Sequence, residues 1–267
     1  MDKKKALPAK PTAKEIVEFI RVYASALLTA GSQTSRIDRT TARIAHAYGF
    51  NLDLVIFSRH FMFSAYRATS DGTIHERYTA VTSIVAGGFN FQRVTQLNAL
   101  SWAIEDKKLR LEEAWRRFHA ICAEPGISTS LRGFFVSLAN AALCGLFNGD
   151  AIAIGLVFFA VFACFWLEQW LLRVGLDVKI TFFLCAFLSS LLVSTGAIFG
   201  FETTQQTALA SSVLFLIPGF PLIIATLDFW DGHILMGVSR LIHSATLIVC
   251  IALGLALTMS LLGVENL

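Results

Sequence analysis

Charge is what this chain has least of, and the shortage is uneven. Only 15% of its 267 residues are Asp, Glu, Lys or Arg, where a soluble domain carries about a quarter. Residues 1–130 hold 18 of the 22 basic and 12 of the 19 acidic side chains, a formal +6, and the remainder holds four basic and seven acidic, a formal −3. That split argues against one water-soluble globule and for two parts made for different solvents. Cysteine is sparse and unpatterned: Cys122, Cys144, Cys164, Cys185 and Cys250 contain no C-x-x-C pair, so neither a disulfide nor a metal is assigned, and buried Cys is read as a small hydrophobe. Proline is rare too, at five, which makes two of them three residues apart in an apolar stretch stand out.

Motifs for several chemistries are also missing. Gly87-Gly88 lacks the Lys-Ser or Lys-Thr of a phosphate loop, which disfavours a nucleotide-driven pump. Ser58 and Ser64 have no nucleophile-elbow context. His46, His60, His75 and His119 are scattered without metal-ligand spacing, and His243 in the apolar half has no second His or paired carboxylate on a nearby turn. No cofactor, metal or nucleic-acid partner is expected, and the first part reads as a regulatory or assembly domain.

What the second half does contain is apolar length. Uncharged stretches cover 133–149, 180–201, 203–227 and 241–264, and a fifth from 151 to 172 is interrupted only by Glu168. A bilayer-spanning helix needs about 20 mainly apolar residues, so the expected architecture is an α-helical membrane protein. It has five transmembrane helices over 131–267, preceded by a small cytosolic α+β domain over 1–130. The start, MDKKKALPAKPTAKE, is charged and has no apolar signal core, so this head is expected to stay in the cytosol; its Lys3–Lys5 cluster reads as solvated. With the head inside, Arg132, Arg173, Lys179 and Arg240 all fall on the inner side, while Asp150, Glu202 and Glu265 fall outside. Cytoplasmic loops are enriched in Lys and Arg, which predicts a multi-pass inner (plasma) membrane protein with its C-terminus outside. Asn148-Gly149-Asp150 reads as a tight turn between the first two spans.

Within the head, apolar residues at helical spacing predict helices over 16–30 and 34–48, each stopped by a glycine, Gly31 and Gly49. Arg36, Arg39 and Arg43 line one side of the second. Strands are expected over 52–57, 61–67 and 74–78, with Asp71-Gly72 as a hairpin turn. Helical periodicity returns over 90–105 and 111–123 before Pro125-Gly126.

The chemistry is expected in the fourth span, around Ile217-Pro218-Gly219-Phe220-Pro221. Each proline lacks an N–H and clashes with the carbonyl four residues earlier. In hydrocarbon, freed backbone is tolerated only against protein or a polar cavity, and transporters use such broken helices near the midplane. Pro218, Gly219 and Pro221 are therefore substrate-path candidates, with Ser211, Ser212, Ser194 and Asn140 as polar neighbours. Ser190 and Thr195 share that third span. Hydroxyls also commonly bond their own helix. Glu168, the one carboxylate within an apolar run, is a functional candidate or a partner for Arg173. At about 1.5 Å per helical residue, Asp228 lies roughly 15 Å inward from Pro218. Asp228, Asp231 and Arg240 thus read as a gate or coupling group, or as an ion pair.

With those residues in view, the chain resembles the threonine/serine exporter family, and in particular its split form, the YjjP type of inner-membrane subunit. LLTAGSQTSRIDRTTARIAHAYG (27–49) is similar to the family's Leu-Leu, Gly, Arg, Arg, Gly pattern; ALASSVLFLIPGFPLIIATLDFWDGHILMGVSR (208–240) resembles its Pro-Gly-x-Pro segment followed by Asp, Asp-Gly and Ser-Arg. The resemblance implies export of a small organic solute, with Pro218, Gly219 and Pro221 as the broken element and Gly31 and Arg36 in the head motif. It implies a smaller, YjjB-like membrane partner lacking the head, and a small carboxylate (succinate) or amino-acid substrate. Phe220 and the run 223–227 depart from a more polar family version, which leaves the substrate open. The rival reading is a membrane-anchored sensor with a cytosolic output domain. An intramembrane enzyme and a homo-oligomeric channel are further alternatives.

Overall fold

The computed structural model describes residues 11–57, 60–69, 73–83, 88–198 and 204–262. Lys3–Lys5, Ser58, the Asp71-Gly72 turn, Gly87, Glu202 and Glu265 lie outside them. By its contacts the chain divides into two compact units, one of Met1–Gly126 with Ile223–Arg240 and one of Ile127–Leu222 with Leu241–Leu267.

The first unit begins with helices α1 (Ala13–Thr29) and α2 (Thr34–Ala47), strands β1 (Asn51–Ile56), β2 (His60–Ala68) and β3 (Ile74–Ser83), and helices α3 (Phe91–Lys107) and α4 (Leu111–Ala123). A reciprocal Thr12/Glu15 capping box opens α1. Gly31 closes it with φ 87°, and the Gly31 and Ser32 N–H groups return to the carbonyls of Leu28 and Leu27. The stripe Ile16, Val17, Phe19, Ile20, Tyr23 and Leu27 is buried, packed with Phe61 and Phe63 of β2, Leu97 and Ile104 of α3, and Phe118 of α4. The sheet is antiparallel in the order β1-β2-β3. Alternation carries β3 to Ser83, past the expected end at Tyr78. Arg43 is bound into the fold: it stacks on Trp102 at 3.6 Å, donates to Ser101 at 2.7 Å and pairs with Glu105 at 3.3 Å, tying α2 to α3.

The apolar half forms α5 (Thr129–Leu146), α6 (Ala151–Val174), α7 (Val178–Ile198), α8 (Gln205–Val213), a 3-10 turn (Leu214–Leu216), α9 (Gly219–Trp230) and α10 (Ile234–Leu261). Four of these, α5, α6, α7 and α10, are long and apolar enough to cross a bilayer, and α8 with its turn plus α9 passes the same test only as a pair bent by 61°, the geometry of a broken fifth span or of a re-entrant loop. The chain is thus a helical membrane protein with an α+β head. Between α5 and α6, Asn148 is left-handed at φ 62° and Asp150 caps α6 by accepting the Ala153 N–H at 2.7 Å. A Cβ on Gly149 would lie 2.8 Å from the Cys144 carbonyl oxygen, so this turn requires glycine. The last helix starts seven residues before the expected 241. Arg240 ends an uncharged run but breaks no backbone, whereas Gly232, at φ 83°, does.

Candidate functional site

In the second unit the span breaks once, and both prolines serve that break. Ile217 is extended (φ −64°, ψ 124°) and its N–H reaches the Leu214 carbonyl at 3.1 Å. The buried Pro218 supplies the carbonyl that accepts the Leu222 N–H at 3.2 Å, opening α9. Gly219 turns back on Ile217 at 2.8 Å. Pro221 falls in the first turn of α9, where a missing N–H costs no intrahelical bond. Ser189 of α7 donates to the Ser212 carbonyl at 2.8 Å, bringing a cross-helix donor to the backbone ahead of the break.

Of the expected polar neighbours, Ser212 donates to Leu209 O at 2.8 Å, Ser194 to Ser190 O at 2.8 Å and Thr195 to Leu192 O at 2.6 Å, each bound to its own helix. Ser190 bonds its own helix too, at Ala186 O (2.8 Å), and also meets Thr258 of α10 at 2.6 Å. Asn140 donates to Val136 O at 2.8 Å, but its Oδ1 and the Ser211 hydroxyl are buried without a partner. They sit on α5 and α8, which pack together. Among the described residues Glu168 makes no ion pair with Arg173; five residues along a helix are about 140° apart around its axis, on different faces. Arg132 bonds Gln169 instead, at 3.3 Å.

The gate candidates assemble inside the first unit, on α9 from Ile223 onward and α10 up to Arg240. Asp228 is 0% exposed. One carboxylate oxygen accepts the backbone N–H of Thr34, the first residue of α2, at 3.0 Å. The other forms a 2.9 Å ion pair with Arg240, close but not aligned as a hydrogen bond. Arg240 also donates to the Ser32 carbonyl at 3.1 Å, and the Ser35 hydroxyl donates to the Asp231 carboxylate. The pairing of an aspartate with Arg240 was readable from sequence; that Asp228 rather than Asp231 makes it was not. The head partners Ser32, Thr34 and Ser35 were missed altogether, being 194 to 208 residues away in the chain. The one local signal was that Gln33, the residue before α2, gives no side-chain cap.

The Asp228 backbone continues the junction: its carbonyl accepts the His233 N–H at 2.8 Å, between Gly232 and the start of α10. Gly232 and His233, with Asp38, Leu54, Ile56 and Met236, border a cavity of about 280 Å³. Arg36, from the head motif, is half-buried and its guanidinium has no partner among the described residues. No group of three His, Cys, Asp or Glu among those residues is placed to hold a metal ion.

The threonine/serine exporter (ThrE) family model matches residues 18–262. A protein of Klebsiella aerogenes named "Probable succinate transporter subunit YjjP" is 28% identical over 246 residues, covering 90% of this chain and 91% of that protein. The protein of the same name from Escherichia coli K12 is 30% identical over 244 residues, covering 87% and 90%. No solved structure matches the chain significantly. A bilayer-length set of helices, one of them broken at Pro218, and a family match over nearly the whole length lead to one assignment: the chain is a multi-pass membrane transport protein and belongs to the threonine/serine exporter family.

Proposed function

We propose that the chain is one subunit of a secondary transporter that exports a small organic solute across the inner membrane. The solute is a dicarboxylate such as succinate, or threonine and serine. The observation that carries this reading is the break at Pro218 in an apolar helix pair, with the unpartnered oxygens of Ser211 and Asn140 on the packed helices α8 and α5; polar groups in such a segment are costly in lipid and useful in a solute path. Succinate comes from the names of the two relatives, and threonine and serine from the family. The relatives' word "subunit" and the five-span count support a second, smaller membrane protein without a head, which completes the path. The inward bias of Arg132, Arg173, Lys179 and Arg240 supports a cytoplasmic head over 1–130 and an outward C-terminus to the membrane domain 131–267. Asp228 and Arg240 act as the cytoplasmic gate.

Efflux tests this. Cells with and without the gene, loaded with a panel of dicarboxylates and amino acids, should differ in the release of one class. Equal release of every solute overturns the export reading. Removing the partner gene should abolish the difference, and full flux from this polypeptide alone overturns the two-subunit reading.

A further inference from the structure

The first turn of α2 holds more hydrogen-bond donors than the protein itself uses. An α-helix leaves its first N–H groups without intrahelical partners, with a partial positive charge that attracts anions. Here the Ile37 N–H returns to Gln33 O at 3.2 Å, and the Thr34 N–H goes to Asp228. Among the described residues the Ser35 and Arg36 N–H groups have no hydrogen bond. Two side chains at the same turn are also unsatisfied: the hydroxyls of Ser32 and Thr34, residues 3% and 1% exposed, have no partner. Arg240 adds a part-buried guanidinium whose buried Nη1 makes only the unaligned ion pair. The Thr34 N–H and Arg240 already hold one carboxylate, that of Asp228, and the same turn keeps two unused N–H groups and two buried unpartnered hydroxyls, with the Asp231 carboxylate on Ser35 at its edge: the donor set of a carboxylate receptor.

We propose that the first turn of α2, with Ser32, Thr34 and Arg240, is a carboxylate-binding site, and that Asp228 is a tethered occupant which a small free carboxylate replaces. This deepens the reading of Asp228 and Arg240 as the gate of an exporter, and rests on it for the consequence of exchange. Release of Asp228 frees the end of α9, so arrival of the ligand and opening of the Asp228–Arg240 contact are one event. A cavity bordered by Asp38, Gly232 and His233 lies along the same helix, Asp38 standing one turn on from Thr34. The ligand chemistry is the carboxylate group, carried either by the exported solute or by a cytosolic metabolite that regulates it.

Chemical rescue tests the site. Asp228→Gly removes the tethered carboxylate and leaves Arg240 unpaired, a costly arrangement. The full-length variant is melted in sodium formate and in sodium chloride at equal ionic strength. Formate should raise the variant's Tm well above its value in chloride and raise the wild type's less, because there the free carboxylate must displace a tethered one at high effective concentration. The same Tm in both salts overturns the proposal. Adding Arg240→Gln should abolish the rescue, and rescue that persists without the guanidinium also overturns it.

Amide exchange on the wild-type protein gives a second arm that needs no variant. Succinate should slow exchange at Ser35 and Arg36 relative to chloride, and unchanged exchange at both overturns the site. Succinate and threonine compared in this assay and in efflux separate the sources: a carboxylate that binds and is carried is the solute, and one that binds without being carried is a regulator. Both measurements read stability or exchange rather than flux. A failure here therefore leaves export standing, and a failure of export leaves the binding result readable.

Discussion

Asp228 and Thr34 are 194 residues apart in the chain, yet the carboxylate of one caps the helix begun by the other, at 3.0 Å. The cap is needed because Gln33, the residue before α2, supplies no side-chain acceptor. It is charged on both sides: the helix terminus is partly positive, and Arg240 stands 2.9 Å from the second carboxylate oxygen. This buried acid of α9 is held by partners from two other segments, Thr34 of α2 and Arg240 of α10.

Asp228→Ala should therefore destabilise the protein strongly. Removing one partner of a buried pair costs about 3–5 kcal/mol, because the other charge stays buried without compensation. Arg240→Ala should cost a similar amount, and the double variant less than the sum of the two. Thermal melts of the four proteins in one detergent measure the coupling. Additive losses would mean that the 2.9 Å contact contributes nothing to the fold.

Replacing Pro218 and Pro221 with Ala restores the N–H groups that the break lacks and removes the ring clashes. The double variant should insert normally, melt no lower than the wild type and lose most efflux, since the Ser211 and Ser212 segment then continues as helix. Membrane fractionation and the efflux assay check the two halves separately. Wild-type flux with normal insertion would reduce the 61° bend to a packing feature.

The break was legible because proline acts locally: a missing N–H can be read from two letters of sequence. The same holds for Gly31 and for the buried stripe of α1, which follow from φ preference and from periodicity. What could not be read was every relationship set by packing over long separations. Nothing in residues 32–35 announces that their partners are Asp228, Asp231 and Arg240. The start of α10 at Ile234 was hidden for another reason, because charge marks where hydrocarbon ends rather than where a helix begins. In sequence Arg43 is one of three arginines along a side of α2, and only the position of Trp102 on α3 shows that it is a packing residue.

Within the second unit, α10 passes α7 at a distance only glycine permits. A Cβ on Gly254 would lie 2.6 Å from the Phe183 carbonyl oxygen and 3.0 Å from the Phe187 nitrogen. Gly254→Val should separate the two helices and lower both yield and Tm. The nearby Ser190–Thr258 hydrogen bond at 2.6 Å should prove weaker. Polar pairs in membrane helices average about 0.6 kcal/mol in double-mutant cycles, so Ser190→Ala with Thr258→Val should cost little beside Gly254→Val. A larger loss from the hydroxyl pair would reverse that order.

Tyr23 gives a pH dependence whose sign is fixed by burial. Its hydroxyl donates to the Leu97 carbonyl at 2.7 Å, and burial pushes the phenol from 10 up to about 12. Below pH 10 the phenol is protonated in folded and unfolded protein alike, and its contribution is complete. Between about 10 and 12 the unfolded chain releases the proton while the folded one keeps it, so stability falls as pH rises through that window. One pKa unit corresponds to about 1.4 kcal/mol, which makes the full loss about 2–3 kcal/mol. Tyr23→Phe removes this slope but leaves the Leu97 carbonyl short of a donor, at a cost of about 1–3 kcal/mol at neutral pH. The variant should thus melt below the wild type at pH 7 and converge on it by pH 12. The half-buried Tyr48, raised to about 12 by burial as well, titrates in the same window, so the variant's curve keeps a residual slope. Parallel melting curves across that range would place the Tyr23 ring in water rather than in the core of α1, α3 and α4.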